Sequence, residues 1–247
     1  MRHYRKWLAY AIALSLSAGA SVTLARAATF RVNSTSDTTD ANPGDGVCND
    51  GSGACTLRAA IMEINASASP ALEVILIPPG LYYLTLAGLP EDNALSGDLD
   101  IQVPVTIIGS GSETIIDASS LPPSAPDRLF HVMTSIERVT IRRLTIRGGS
   151  TDEGGGILME GTGVLVLDNL TITSNRAAMR GGGIYNAGGT LMVQSSTIEG
   201  NIAQGAGCHP SVGQPDAGGG GIYNAGGSLT ITGSTIAGNR AVQGCGG

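Results

Sequence analysis

Gly181–Gly189 reads GGGIYNAGG, and Gly219–Gly227 spells the same nine residues again, 38 positions later. A second phrase recurs beside it. The tripeptides LTI, LTI, STI and STI end at Ile146, Ile172, Ile198 and Ile236, at spacings of 26, 26 and 38. Asn175, Asn201 and Asn239 each follow the isoleucine by three, and Leu165, Leu191 and Leu229 keep the same steps. Glycine clusters precede Ile157, Ile184 and Ile222. The unit is therefore about 26 residues, and one copy is lengthened by 12 within GAGCHPSVGQPDA, residues 205–217.

Self-similarity at a fixed period is the signature of a solenoid or related repeat fold. Within one unit, GGGIYN, TLMVQ and STIEGN each alternate apolar and polar residues, the period of a strand, and none has the 3.6-residue period of a helix. Glycine and asparagine, which tolerate left-handed backbone, punctuate the runs. Three strands and three turns per repeat predict an all-β chain wound as a right-handed parallel β-helix. Equivalent residues then stack at about 4.8 Å per coil. Ile146, Ile172, Ile198 and Ile236 form one interior column, Ile157, Ile184 and Ile222 another, and the asparagines an amide ladder. Diverged runs such as LEVILIPPGLYYLT (72–85), DLDIQVPVTIIG (98–109) and TIIDASS (114–120) extend the pattern upstream. About six coils are expected between Glu73 and the end.

The first residues have a different character. MRHYRK is basic, an apolar run follows, and Ala25-Arg26-Ala27 has the small-x-small form of a signal peptidase site. Residues 1–27 are expected to be a signal peptide removed after Ala27, which implies a secreted or cell-surface protein with no membrane-spanning segment in the mature chain. Beyond Ala27 stand 10 of the 14 basic residues, all arginine, and all 20 acidic ones, a formal charge of −10. That balance disfavours nucleic acid and anionic lipid as partners. The expected partner is a cell-surface polysaccharide or a protein.

Residues 28–72 precede the coils. TFRVN reads as a strand. Cys48 and Cys55 enclose a loop rich in Gly, Asp and Asn, and an exported chain meets an oxidising compartment where they can pair. Thr56 suits a helix N-cap, and Leu57, Ile61 and Ile64 then share one face. Such a helix can cover the open end of the first coil, hiding its apolar interior and unpaired edge. The residues DANPGDGVCNDGSGACTLRAAI, followed by GGGIYNAGG coils, resemble the secreted bacterial β-helix proteins with the N-terminal CSLREA motif, standing here as Cys55–Ala60. The resemblance covers essentially the whole mature chain. The coils themselves are common to pectin-lyase-like and polymorphic outer-membrane-type proteins. It implies export and a parallel β-helix, and no particular reaction. One departure is informative. The family's Ser and Glu can make a capping box, but here Thr56 keeps the cap and Ala59 replaces the acid. Arg58 then sits in the first turn, disfavoured by the helix dipole, so a compensating acid is expected at Asp45 or Asp50.

Residues 73–247 are expected to be the β-helix. Cys208 and Cys245 hold nearly equivalent places in adjacent coils and are expected to form a second disulfide. The chain stops where another coil would begin, so continuation beyond Gly247 is expected.

No established constellation for chemistry emerges. The hydrolases of this fold use clustered aspartates with G-H-G and R-x-K, and none of these is present. His131 and His209 are isolated and read as structural or solvated. Asp152, Glu153 and Glu160 with Arg147, Arg176 and Arg180 read as an outer face with ion pairs. The loop acids Asp37, Asp40, Asp45 and Asp50 are a tentative calcium set, although the spacing exceeds that of D-x-N-x-D-G by one residue and Asx-turns explain the composition equally. GSGSE (109–113) lacks the remaining residues of a nucleotide loop. Tyr185 and Tyr223 occupy equivalent positions and should stack. Two functions remain: a non-catalytic adhesive or binding scaffold, or a polysaccharide lyase or hydrolase. A concave face with converging acids and an arginine would discriminate them.

Overall fold

The computed structural model describes residues 27–67, 72–88, 91–134, 136–205 and 218–242. The pairing of Cys208 with Cys245, and His209, lie outside the described residues, as does nearly all of the proposed signal. No helix among the described residues is long and apolar enough to cross a membrane.

The strands form four sheets in which every paired neighbour is parallel. Successive members of each sheet come from successive turns of the chain, so the architecture is a parallel β-helix. A seven-stranded sheet runs from Thr29–Arg31 and Glu73–Leu76 to Thr190–Gln194 and Ser228–Thr232. A six-stranded sheet runs from Gly80–Tyr83 to Thr235–Ala237, and a five-stranded sheet from Leu99–Ile101 to Ile222–Asn224. The fourth sheet, Ser150–Glu153, Arg176–Arg180, Ile202–Ala203 and Arg240–Ala241, corrects the expectation of three strands per repeat. Only small residues such as Ala177 and Ala203 are buried from it, so it leaves almost no apolar alternation to read.

The interior columns follow the repeat. Ile116, Ile146, Ile172, Ile198 and Ile236 are in register, and all but the last are fully buried. Ile236, with Leu229 and Ile231, is exposed because the last described coil has nothing stacked on it. Leu99, Phe130, Ile157, Ile184 and Ile222 form the second column. One coil cannot bury its own apolar face, which is why the sequence must repeat.

The quoted nonapeptide has a steric reason. Gly181 has φ +64, and a Cβ there would sit 2.4 Å from the Ile184 carbonyl oxygen. A Cβ on Gly182 would meet carbonyl oxygens of Gly220 and Ile202 at 2.4 and 2.5 Å. Adjacent coils touch backbone to backbone here, so only glycine fits. The asparagine ladder forms as expected: Asn175 Nδ2 donates to Asn201 Oδ1 at 3.0 Å, and Asn201 Nδ2 to Asn239 Oδ1 at 2.9 Å. Each Oδ1 also accepts the backbone N–H of the preceding asparagine, so the ladder satisfies buried groups at a turn.

The helix spans Leu57–Ala66, with the Thr56 hydroxyl accepting from the Ala59 N–H at 3.0 Å. It is buried along its whole length to Ile64 and joins the same core as the coils, contacting the Leu99–Ile101 strand. Cys48 and Cys55 are bonded, with Cα atoms 5.1 Å apart. The compensating acid for Arg58 is Asp37, not Asp45 or Asp50. Arg58 Nε lies 2.6 Å from Asp37 Oδ1, both side chains being almost fully buried. Asp45 and Asp50 are instead engaged within their own loop. The partner comes from 21 residues upstream, a separation at which local spacing carries no signal.

Candidate functional site

One outward-facing column of the five-stranded sheet changes character along its length. Its members, in register, are Asp100, His131, Leu158, Tyr185 and Tyr223. At the Asp100 end lies a cleft of about 550 Å³, lined by Glu91, Asp92, Asp98, Asp127, Asp152 and Glu160 with Arg128 and His131. Six carboxylates thus face one guanidinium and one imidazole. No Phe, Tyr or Trp lines it.

His131 is the buried centre of this group. Its Nδ1 lies 3.1 Å from Asp100 Oδ1 and 3.9 Å from Asp92 Oδ1, and its Nε2 3.6 Å from Glu160 Oε2. Nε2 is buried and without a hydrogen-bond partner. Asp100 is fully buried beneath the loop that carries Ala94, whose N–H donates to Asp100 Oδ2 at 2.8 Å. Burial alone would lower the affinity of His131 for a proton. The hydrogen bond to Asp100 and the charges of Asp98 and Asp100 outweigh that and the opposing charge of Arg128, so its pKa is raised. Asp98 is buried and pushed up to about 7, first by loss of solvent and then by Asp127 and Asp100. The charges of Arg128 and His131 hold it back. Arg128 Nη1 lies 3.0 Å from Asp98 Oδ2. An acid that titrates at about 7 and an imidazole whose pKa is raised therefore share one acidic cleft.

Asp92, Asp100 and His131 each bring one ligand atom within 4.8 Å of the others, the one such grouping among the described residues. They fit a cation only in part. Calcium takes six to eight oxygens, and here one of three donors is a nitrogen that already faces Asp100. The tentative calcium set is not gathered at this site. Asp37 holds Arg58 and accepts the N–H groups of Thr85 and Leu86. Asp40 accepts from the Asn42 and Asn49 N–H groups, and Asp45 from Val47. Asp50 accepts from Ser52, Thr38 and Ala54, which hold its carboxyl down at about 2. Asp40, Asp45 and Asp50 shape the loop, while Asp37 ties the helix to the Thr85–Leu86 backbone.

At the other end of the column, Tyr185 and Tyr223 stack with centroids 5.4 Å apart and planes at 9°. The Arg180 guanidinium lies 5.2 Å from the Tyr223 ring. The rings therefore cover one another, and the pair presents edges and hydroxyls. Among the charges expected on an outer face, Arg180 pairs with Glu153 at 3.8 Å and Arg147 with Asp117 at 2.7 Å. Glu160 and Asp152 belong to the cleft instead.

Asp92, Asp98, Asp100, Asp127 and Arg128 escape sequence reasoning. The signal is in DLDI, where both outward positions of a regular alternation are acids flanking a core leucine. Its meaning depends on knowing that Leu99 and Phe130 occupy successive coils, a step of 31 that the 26-residue period conceals.

No protein-family model matches the chain, and no significant match is found among curated proteins or solved structures.

Proposed function

We propose that the chain is an exported, secreted or cell-surface β-helix scaffold that binds a glycan along its five-stranded face. Export rests on the leader-like N-terminus and on the resemblance to CSLREA-type proteins of pectin-lyase-like fold. The observation that carries the binding role is the single outward column that leads from the acidic cleft at Asp100 and His131, past Leu158, to the tyrosine pair. Its ends, Asp100 and Tyr223, are four coil steps apart, roughly 19 Å at the usual strand spacing. Carboxylates, an imidazole and phenols are acceptors and donors suited to hydroxyl groups. Six carboxylates against one arginine also repel a polyanion, so the ligand is a neutral or amino-bearing glycan.

A second reading is favoured by the convergence of acids with Arg128. A carboxylic acid near pKa 7 beside further carboxyl groups is the pairing that glycoside hydrolysis requires, with Asp98 as proton donor. A lyase, which would use an arginine or lysine as its base, has less support, because no lysine follows Lys6 and the cleft's one arginine, Arg128, is engaged by Asp98. One experiment separates the readings. Neutral, amino-bearing and acidic polysaccharides are incubated with the exported protein, with and without calcium, measuring retention on the polymer and release of reducing or unsaturated ends. Retention on neutral or amino polymers without release supports the scaffold. Reducing ends lost in Asp98→Asn establish the hydrolase. Neither retention nor release on any polymer overturns both.

A further inference from the structure

Glu73 is a misfit in the interior. It heads the inward column that continues as Val105, Val139, Leu165 and Leu191, and it is 1% exposed. An acid at a column position needs a strong partner, because burying an unpaired carboxylate is costly. That partner is a backbone nitrogen: Ala28 N lies 2.6 Å from Glu73 Oε2. The nitrogen is held there by the ladder. The Ala28 carbonyl accepts from Val74 N–H at 3.0 Å, and Thr29, Phe30 and Arg31 pair with Val74, Ile75 and Leu76. Nothing in this arrangement depends on what precedes Ala28.

The peptide bond before this nitrogen is the one that Ala25-Arg26-Ala27 marks for cleavage. We propose that Glu73 is a receptor for the α-ammonium group freed at Ala28, so that removal of residues 1–27 completes a half-buried ion pair and locks the first strand onto the coils. This rests on the export reading above. Hydrolysis breaks the Ala27–Ala28 C–N bond. Water supplies the oxygen of the new Ala27 carboxylate, and the freed amine takes up a proton. An amide with one N–H becomes an ammonium with three and a full charge, at the same nitrogen and against the same carboxylate. Capture of an amino terminus by preplaced acceptors is a known recognition mode. An α-amino group ordinarily titrates near 8. Pairing raises its value in the folded state, so the added stability is present in full below about pH 8 and is lost as pH rises through the folded value.

The test compares three forms of the protein: one beginning at Ala28, the same form acetylated at its α-amino group, and one retaining Ala27 and several preceding residues. Thermal unfolding is followed at pH 7 and pH 10, each form with and without Glu73→Gln. The Ala28 form should melt about 3–6 °C above the other two at pH 7, with the gap closing at pH 10 and in Glu73→Gln. Equal melting of all three wild-type forms at pH 7 overturns the proposal, and the acetylated wild type decides it even if the variant fails to fold. Intact mass of the exported protein reports separately on the export reading. A mature start elsewhere than Ala28 refutes the cleavage position, whereas a start at Ala28 with equal melting refutes only the lock.

Discussion

The coils from Ile157 onward and those before it share one backbone plan and differ in what they place on it. In the later coils, equivalent positions hold equivalent residues: Ile184 over Ile222, Tyr185 over Tyr223, Asn186 over Asn224. In the earlier coils the same columns hold Asp100 and His131 where tyrosines stand later, and Glu73 where leucines stand later. Repetition in a solenoid marks what the fold requires, because each coil must solve the same packing problem. Departure from it marks what the fold does not require. Among the described residues, the buried charged groups lie in the irregular half, Arg58, Glu73, Asp98, Asp100 and His131 among them.

Within the irregular half, the cap and the cleft are joined through Arg58, and its removal should give the largest effect. Besides Asp37, its guanidinium donates to the carbonyl oxygens of Ala94, Gly97 and Asp98 at 3.0, 2.8 and 3.1 Å. It therefore holds the capping helix and the loop over Asp100 together. Arg58→Ala strands a buried carboxylate and three carbonyls, at a cost of about 3–5 kcal/mol. Urea unfolding should show this loss, and Arg58→Lys should rescue little, because one ammonium cannot reach four acceptors. A small effect would mean that cap and cleft are independent.

The regular half should fail through its ladder. Asn201 is fully buried and makes four side-chain hydrogen bonds, to Asn175 N and Nδ2, Ile172 O and Asn239 Oδ1. Asn201→Ala leaves buried donors and an acceptor unpaired, for about 2–4 kcal/mol by denaturant unfolding. Loss of the whole transition, including the coils before Ile157, would show that the halves unfold as one unit.

How much was legible in the sequence follows the same division. The 26-residue step revealed the isoleucine columns, the asparagine ladder and the tyrosine stack, because each is a local rule applied several times. The cap was legible at Thr56 and in the Cys48–Cys55 loop, where partners lie within a few residues. The partner of Arg58 was not, and neither was the cleft. Asp98 comes from one coil and Asp127 and His131 from the next, at a step that departs from 26, and nothing local to Asp98 shows that it meets the other two. The fourth sheet was missed for a related reason, since small buried alanines carry no alternation.

The pH response should also separate the halves. Asp98 has its folded pKa raised to about 7 from an ordinary value near 4. Its contribution is fully present below the unfolded value and is lost as pH rises through the folded one. Stability should therefore decline between about pH 4 and 7. Asp98→Asn resembles the protonated acid, so it should match the wild type at pH 4 and exceed it at pH 8 by about 1–2 kcal/mol, part of the gain being offset by the lost charge partner of Arg128. Melting temperatures across that range check it. His131, whose pKa is also raised, adds a further decline above about 6.5 in both proteins. Parallel wild-type and variant profiles would remove Asp98 as the titrating group.

The smallest effect is expected where the column leaves the cleft. Truncating Tyr223 to Ala removes one stacked pair and the Arg180 contact, about 0.5–1.5 kcal/mol of stability. Its use lies in binding. If a glycan occupies both ends of the column, it must be long enough to reach from His131 to the tyrosines, roughly 10–14 Å at the usual coil spacing. Oligosaccharides shorter than that should bind wild type and Tyr223→Ala alike. Longer ones should bind the wild type more tightly and lose about three- to tenfold in the variant, the measure of a single modest contact. Calorimetric titration along a series of increasing length checks this. An affinity that rises with length equally in both proteins would separate the tyrosine pair from the ligand path, leave it to inter-coil packing alone, and confine recognition to the irregular half.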